Sequence, residues 1–117
     1  MYDFNYHRPK KLDEAVTKLS SGADGKLVAG GMTLIPTLKQ RLAQPSDLVD
    51  LSEVSGLAGI SVDGDTVTIG SMTRHCDVAA SADIAKVIPA LASLANHIGD
   101  AQVRHRGTIG GSISNND

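Results

Sequence analysis

The segment LVAGGMTLIP, residues 27–36, decides the fold, because an apolar run stops there at two adjacent glycines and a helical pattern then begins. Residues 27–29 predict a short buried strand. Thr33 is of a residue type that caps helix N-termini, and Pro36 is tolerated in a first helical turn. One face of the predicted helix carries Leu34, Leu38 and Leu42. The pattern therefore places bare backbone between a strand and a helix.

A second glycine pair occurs in TIGGS, residues 108–112. Like the first pair, it follows apolar residues and adjoins a hydroxyl side chain. Because glycine lacks Cβ and adopts positive φ readily, its N–H groups can approach an anion closely, and a helix N-terminus adds further donors. We expect the two turns to face one ligand, with a phosphate or pyrophosphate as its anionic group. A glycine pair is more often a plain turn, however, so the pattern alone leaves the function open.

The rest of the chain alternates helix and strand signals. DLVDLS predicts a short strand, and LAGISVDGDTVTIGSMT predicts a hairpin that turns at Asp63-Gly64. A short helix is expected near Val78, and a longer one follows with Gly99 as its C-cap. Apolar helix stripes are formed by Leu12, Ala15, Val16 and Leu19 and by Leu91, Leu94, Ala95 and Ile98.

Composition excludes several classes of function. The 117 residues carry a formal net charge of -2 and are 41% hydrophobic, so nothing attracts the chain electrostatically to nucleic acid or to an anionic membrane. No apolar run approaches the roughly 20 residues of a membrane span, and the first residues do not resemble a signal peptide, which predicts a cytoplasmic location. Neither a G-x-x-x-x-G-K-[ST] nor a G-x-G-x-x-G motif is present. The single cysteine, Cys76, cannot form an internal disulfide or by itself hold a metal cluster.

Several titratable residues favour structural roles. The sequence His75-Cys76-Asp77 is more typical of a helix start than of a metal site, because adjacent side chains diverge. His97 is interpreted as a structural histidine beside an apolar stripe, whereas Arg104 and Arg106 could neutralise a pyrophosphate. The basic residues near the N-terminus, which predict a solvated surface or an interface, are His7, Arg8, Lys10 and Lys11. Neither a catalytic residue nor a metal ligand is predicted.

Five segments together closely resemble the start of the FAD-binding medium subunit of molybdenum hydroxylases, and most closely the medium chains of aerobic carbon monoxide dehydrogenases. They are FNYHRPKKLDEAV, LVAGGMTLIPTLKQRL, LVDLS, IGSMT and VRHRGTIGGSISNND. The resemblance implies an α+β architecture, the N-terminal portion of the FAD-binding fold of the vanillyl-alcohol oxidase and p-cresol methylhydroxylase type, with short strands and packed helices. Residues 1–55 would form a first α/β subdomain and residues 56–117 the start of a second, with the family's C-terminal domain absent.

The resemblance also implies which residues wrap the FAD pyrophosphate. The first loop would comprise Ala29, Gly30, Gly31, Met32, Thr33 and Leu34, and the second Thr108, Ile109, Gly110, Gly111 and Ser112. Three positions depart from the family pattern. Met32 stands where a histidine or another polar residue is common, His105 where asparagine or tyrosine is frequent, and Ser112 where asparagine is frequent. None of these departures removes a backbone donor.

The function implied by the resemblance is electron transfer within a larger oxidoreductase. Similar enzymes oxidise a small substrate at a molybdenum cofactor on a large subunit and pass electrons through two [2Fe–2S] clusters on a small subunit to FAD on the medium subunit. FAD then reduces an external acceptor. We expect this chain to be inactive alone, in a dimer of heterotrimers that meets a membrane only through the complex. Two alternatives stay open, namely a stand-alone FAD-dependent oxidase or dehydrogenase and an assembly module that binds no nucleotide.

Overall fold

The structure is a computed structural model that describes residues 1–116 and divides into two compact units, one from Met1 to Ser55 and one that begins at Gly56. The strands of the described part are β1 Asn5–His7, β2 Gly25–Val28, β3 Asp47–Asp50, β4 Ile60–Asp63 and β5 Thr66–Ile69. Its helices are α1 Leu12–Ser21, α2 Leu34–Lys39, α3 His75–Ala80, α4 Ala82–Val87, α5 Pro89–Asn96, α6 Ala101–Arg104 and α7 Ile109–Asn115. None of these helices is long and apolar enough to cross a membrane.

The first unit is built on a parallel three-stranded sheet in the order β1-β3-β2. Parallel strands require crossover connections, which α1 and α2 supply in a β-α-β-α-β sequence. The central strand β3 contributes Leu48 and Val49, which are both buried, and α2 contributes the buried Leu38. Because Val28 pairs with Asp50, the carboxyl ends of β2 and β3 lie side by side.

Helix α1 confirms the helix predicted from its apolar stripe, but only part of the stripe is buried. Ala15 is buried in the first unit, whereas Leu12 and Val16 are largely exposed. Acidic Asp13 and Glu14 occupy the first turn of α1, where negative charge is favoured by the helix dipole.

Around the first glycine pair, the strand lies closer to the N-terminus than predicted and the helix ends earlier than predicted. Strand β2 covers Gly25–Val28, not residues 27–29, and α2 ends at Lys39. Arg41 then adopts a left-handed conformation with φ 58°, so Leu42 leaves the helix and is 73% exposed. Thr33 occupies the N-cap position as predicted, but its backbone is already helical and its side chain makes no capping hydrogen bond.

The second unit begins with the predicted hairpin. Strands β4 and β5 are antiparallel, and the pairing of Asp63 with Thr66 leaves Gly64 and Asp65 as the two turn residues, one position later than predicted. Gly64 has φ 58°, a conformation that suits glycine at the first position of a two-residue hairpin turn.

Helices α3, α4 and α5 form the core of the second unit with one face of the hairpin. Its buried apolar side chains are Val78, Ile84, Ala92 and Ala95, packed against Ile60, Val67 and Ile69. Helix α5 starts with Pro89 at its first position, where a missing N–H has no cost, and ends with His97 as the C-cap. The prediction of Gly99 as C-cap was therefore wrong by two residues, although Gly99 does adopt φ 52°.

The pKa of Asp47 predicts an acid-sensitive first unit. A hydrogen bond with His7 Nε2 at 2.7 Å and a second from Ser46 Oγ at 2.7 Å lower the pKa of this carboxyl below its ordinary value of 3.8. A lowered folded-state pKa stabilises the fold above the unfolded-state value, and that contribution is lost as the pH falls through the folded-state value. We expect the melting temperature of the chain to fall more steeply below about pH 4 than that of an Asp47→Asn variant. Parallel curves for the two proteins in thermal scans would contradict this.

Candidate functional site

The first glycine motif presents three consecutive backbone donors. Residues 29–33 connect the end of β2 to the start of α2. Among residues 1–116, the amides of Gly30, Gly31 and Met32 donate no hydrogen bond. These residues are half-buried or exposed, so the donors are accessible to a ligand. A run of free amides before a helix is the arrangement that binds anions in proteins.

Gly31 is the residue that the backbone of this motif requires. It has φ 76°, in the left-handed region that residues with a Cβ rarely adopt. A Cβ at this position would also lie 2.8 Å from Cγ1 of Ile35. The carbonyl of Gly31 accepts from the Ile35 amide at 2.9 Å, which ties the glycine turn to the first turn of α2.

The second glycine motif is the start of a helix, which the sequence analysis did not predict. Thr108 is the N-cap of α7, and its Oγ1 accepts from the Gly111 amide at 3.1 Å. The amides of Ile109 and Gly110 donate to Thr73 O at 3.0 Å and to Ser71 O at 2.9 Å. These amides therefore have acceptors within the chain already. An anion at this motif would share them or would use the hydroxyl groups of the motif.

The segment 71–75 holds the second motif in place, and sequence reasoning missed this role. Arg74 and Thr108 form an isolated antiparallel bridge, and the His75 amide donates to Gly107 O at 3.1 Å. A Cβ on Gly110 would lie 2.6 Å from Ser71 O, so this glycine permits a close approach of two backbone segments. The segment overlaps IGSMT, residues 69–73, but no periodicity or composition marks it as a partner of TIGGS.

His75 is a buried polar residue of this arrangement, together with Thr73 and Thr108. It begins α3, which confirms the helix start predicted at residues 75–77, and its Nε2 lies 3.0 Å from Oγ of Ser112. Cys76 is a half-buried free thiol. Within residues 1–116, no group of three or more His, Cys, Asp and Glu side chains is placed to bind a metal ion.

Three further candidate residues contact the chain's own groups. His97 Nδ1 lies 2.7 Å from Ser93 O, in agreement with a structural histidine. Arg104 Nη1 donates to Ile98 O at 3.1 Å and to Gly99 O at 2.9 Å. From the basic cluster, Arg8 pairs with Glu53 at 3.5 Å.

Asp50 is a charged residue beside the first motif, because it pairs with Val28 at the end of β2. Burial acts to raise the pKa of Asp50, but hydrogen bonds from the Tyr6 hydroxyl and from Ser52 outweigh it, and the net pKa is lowered. Arg8 Nε lies 3.9 Å from the same carboxylate. Asp50 is therefore an ionised group whose charge is offset by its own partners.

The N-cap of α7 predicts a measurable effect on stability. Thr108 is buried, and Thr108→Val keeps its shape but removes the acceptor for the Gly111 amide. Loss of an N-cap costs about 1 kcal/mol, which lowers the melting temperature by roughly 4 °C in a domain of this size. The melting temperature of Thr108→Ser, which keeps the hydroxyl, should fall less in the same thermal scan. A valine variant as stable as the wild type would show that the cap contributes nothing.

Comparison with known proteins identifies the family to which this chain belongs. Residues 2–117 match the FAD-binding domain in molybdopterin dehydrogenase. The chain belongs to this family. It is 47% identical over 112 residues to the carbon monoxide dehydrogenase medium chain of Hydrogenophaga pseudoflava, covering 95% of this chain and 39% of that one. It is 40% identical over 112 residues to the nicotine 6-hydroxylase medium subunit of Paenarthrobacter nicotinovorans, covering 96% of this chain and 40% of the relative.

Solved structures confirm the predicted fold class of this FAD-binding domain. Carbon monoxide dehydrogenase from Hydrogenophaga pseudoflava, in a form that lacks the Mo-pyranopterin moiety, matches with a TM-score of 0.95 at 46% identity, covering 99% of this chain and 41% of that chain. Quinoline 2-oxidoreductase from Pseudomonas putida 86 matches with a TM-score of 0.92 at 38% identity, covering 96% of this chain and 39% of the other. The chain therefore spans about two-fifths of the length of these relatives.

The residues present fit the anionic part of FAD. A pyrophosphate requires several hydrogen-bond donors, and the first motif has open amides at Gly30, Gly31 and Met32. The second motif, in the other unit, has by itself a helix start and the hydroxyl of Ser112. The two motifs thus offer different donors, backbone amides in one unit and a hydroxyl with shared amides in the other.

Proposed function

We propose that this chain is the FAD-binding part of the medium subunit of a molybdenum hydroxylase similar to carbon monoxide dehydrogenase. The run of open amides at residues 30–32, which includes Gly31 with φ 76°, carries the proposal. Membership of the FAD-binding family and the names of its relatives support it. The chain's task is then to hold the flavin nucleotide rather than to act on the substrate.

Each glycine motif contributes its own donors to the pyrophosphate in this proposal. In the first motif the principal contacts come from the amides of Gly30, Gly31 and Met32, within the segment that also includes Ala29, Thr33 and Leu34. In the second, the hydroxyl groups of Ser112 and Thr108 are the O–H donors, and the amides of Ile109, Gly110 and Gly111 contribute partial positive charge at the start of α7. A backbone donor tolerates the side-chain departure at Met32, whereas Ser112 contributes through its hydroxyl.

The redox chemistry belongs to the cofactors and the partner subunits. When bound, FAD supplies the centre that receives electrons from [2Fe–2S] clusters on a small subunit and passes them to an external acceptor. A large subunit holds the molybdenum cofactor and selects the substrate, and two heterotrimers form the assembly. This chain's residues bind and orient the nucleotide, and none of them acts as a general base or a nucleophile.

Two alternatives are less well supported. A stand-alone flavin oxidase or dehydrogenase is disfavoured because the relatives are named as medium chains and subunits. An assembly module without nucleotide is disfavoured because the amides of residues 30–32 stay open in the described part of the chain. Turnover by the purified chain would favour the first alternative, and a folded chain indifferent to FAD the second.

The assembly can be tested by purifying the tagged protein from its native host. We expect one larger chain and one smaller chain to co-purify with it. The complex should contain molybdenum, iron and FAD, with about four iron atoms per flavin, since two [2Fe–2S] clusters accompany each FAD. The tag alone, expressed in the same host, provides the control for adventitious metal. A complex that contains flavin but neither metal would contradict the proposed assignment.

A further inference from the structure

His75 lies where helix α3 meets the second glycine motif. It is only 4% exposed. Its amide donates to Gly107 O at 3.1 Å, and a Cβ on Gly107 would lie 3.0 Å from the His75 ring. The imidazole is therefore held against the motif by both its backbone and its ring. Its Nε2 reaches Ser112 Oγ at 3.0 Å.

Ser112 gives this contact a specific consequence. A serine inside a helix commonly bonds its hydroxyl to the carbonyl four residues earlier. Here Thr108 O accepts the Ser112 amide at 3.1 Å, and within residues 1–116 the hydrogen-bond partner of the Ser112 hydroxyl is His75. A hydroxyl has one proton to donate. If Nε2 accepts that proton, none is left for a phosphate oxygen, whereas if Nε2 donates, the proton is free for the ligand.

We propose that His75 is a positioning residue for the flavin nucleotide. Its Nε2–H donates to Ser112 Oγ and thereby directs the Ser112 hydroxyl proton to a phosphate oxygen of FAD. The inference rests on the proposed function and concerns the same site. No proton is transferred, because the imidazole only fixes the direction in which the hydroxyl donates.

The other donors of the motif are either occupied or buried. The amides of Gly110 and Gly111 already donate to Ser71 O and to Thr108 Oγ1. The Ser112 amide donates to Thr108 O. Thr108 is only 3% exposed, so the hydroxyl of the half-buried Ser112, once His75 donates to it, is the more accessible O–H donor of this motif.

Affinity measurements on variants test the coupling of the two residues. FAD is titrated into the wild-type chain and into His75→Phe, Ser112→Ala and the double variant, with melting temperatures recorded without ligand. Each single substitution should weaken FAD binding about tenfold, the size of one hydrogen bond to a charged group. The double variant should also lose about tenfold, not a hundredfold, because both substitutions remove the same contact. His75→Gln, which keeps an N–H donor, should restore binding to within about threefold of wild type.

The outcomes separate this inference from the proposed function. Losses that multiply in the double variant, or a His75→Phe variant that binds FAD like the wild type, would overturn the inference alone. A folded wild-type chain that does not bind FAD would overturn the proposed function and the inference together.

A second measurement reads the protonation of His75 directly in the wild-type protein. Nitrogen-15 NMR of the histidine side chains distinguishes a protonated Nε2 from an unprotonated one, with a His75→Gln sample to assign the signal. In the FAD complex we expect a protonated Nε2 at His75. An unprotonated Nε2 in the complex would show that His75 accepts the serine proton, and it would overturn the inference.

Discussion

Replacing Ile84 by alanine is expected to lower the free energy of unfolding by about 3 kcal/mol, within the 2–5 kcal/mol typical of buried isoleucine. Ile84 lies on α4, is 0% exposed and belongs to the core formed with Val78, Ala92 and Ala95. Small neighbours such as the two alanines cannot extend into the space that the truncation leaves. The cavity therefore persists, and both the lost burial and the lost contacts destabilise the variant.

Urea denaturation followed by circular dichroism measures this effect. The matched control is Leu94→Ala on α5 of the same unit, because Leu94 is 62% exposed and its truncation should change stability by less than about 0.5 kcal/mol. Equal destabilisation by the two variants would mean that the core does not lie where the structure places it.

The second large effect is expected on FAD affinity when Gly110 is replaced by alanine. The added Cβ would lie 2.6 Å from Ser71 O, and the backbone of α7 would have to move away from the segment that holds it. Overpacking of this kind costs about 1–3 kcal/mol, so we expect binding to weaken roughly tenfold to a hundredfold if the strain is relieved by displacing the motif. The melting temperature should fall as well.

Ser114→Ala is the control for this prediction. Ser114 lies on the same helix and is exposed, so its truncation should leave both FAD affinity and stability near wild type. Wild-type affinity in Gly110→Ala would contradict a role for the second motif in nucleotide binding.

Local patterns predicted the elements whose causes are local. The apolar spacing around Ala15 predicted α1, and the turn sequence near Gly64 predicted the hairpin to within one residue. The positive φ of Gly31 agrees with the expectation that a glycine at this turn needs freedom of conformation. The family resemblance, carried by spaced motifs, predicted the fold class that solved structures confirm.

Long-range contacts determined what the sequence could not predict. Helix α7 was missed because the two glycines after Ile109 have low helix propensity, and the helix depends on the Thr108 cap and on bonds to Ser71 and Thr73. The pairing of His75 with Ser112 joins residues 37 positions apart, and no periodic pattern reports such a contact. The exposure of Leu12 and Val16 on α1 likewise depends on what packs against the helix, not on the spacing of its apolar residues.

The central claim is that this chain binds FAD through its pyrophosphate, and the most direct measurement is a paired titration of the purified chain with FAD and with riboflavin. Riboflavin has the same ring system but no phosphate, so it lacks the group that the open amides of Gly30, Gly31 and Met32 would bind. We predict saturable one-to-one FAD binding that raises the melting temperature and at least about hundredfold weaker binding of riboflavin. A folded chain that binds neither molecule, or that binds riboflavin as tightly as FAD, would contradict the claim.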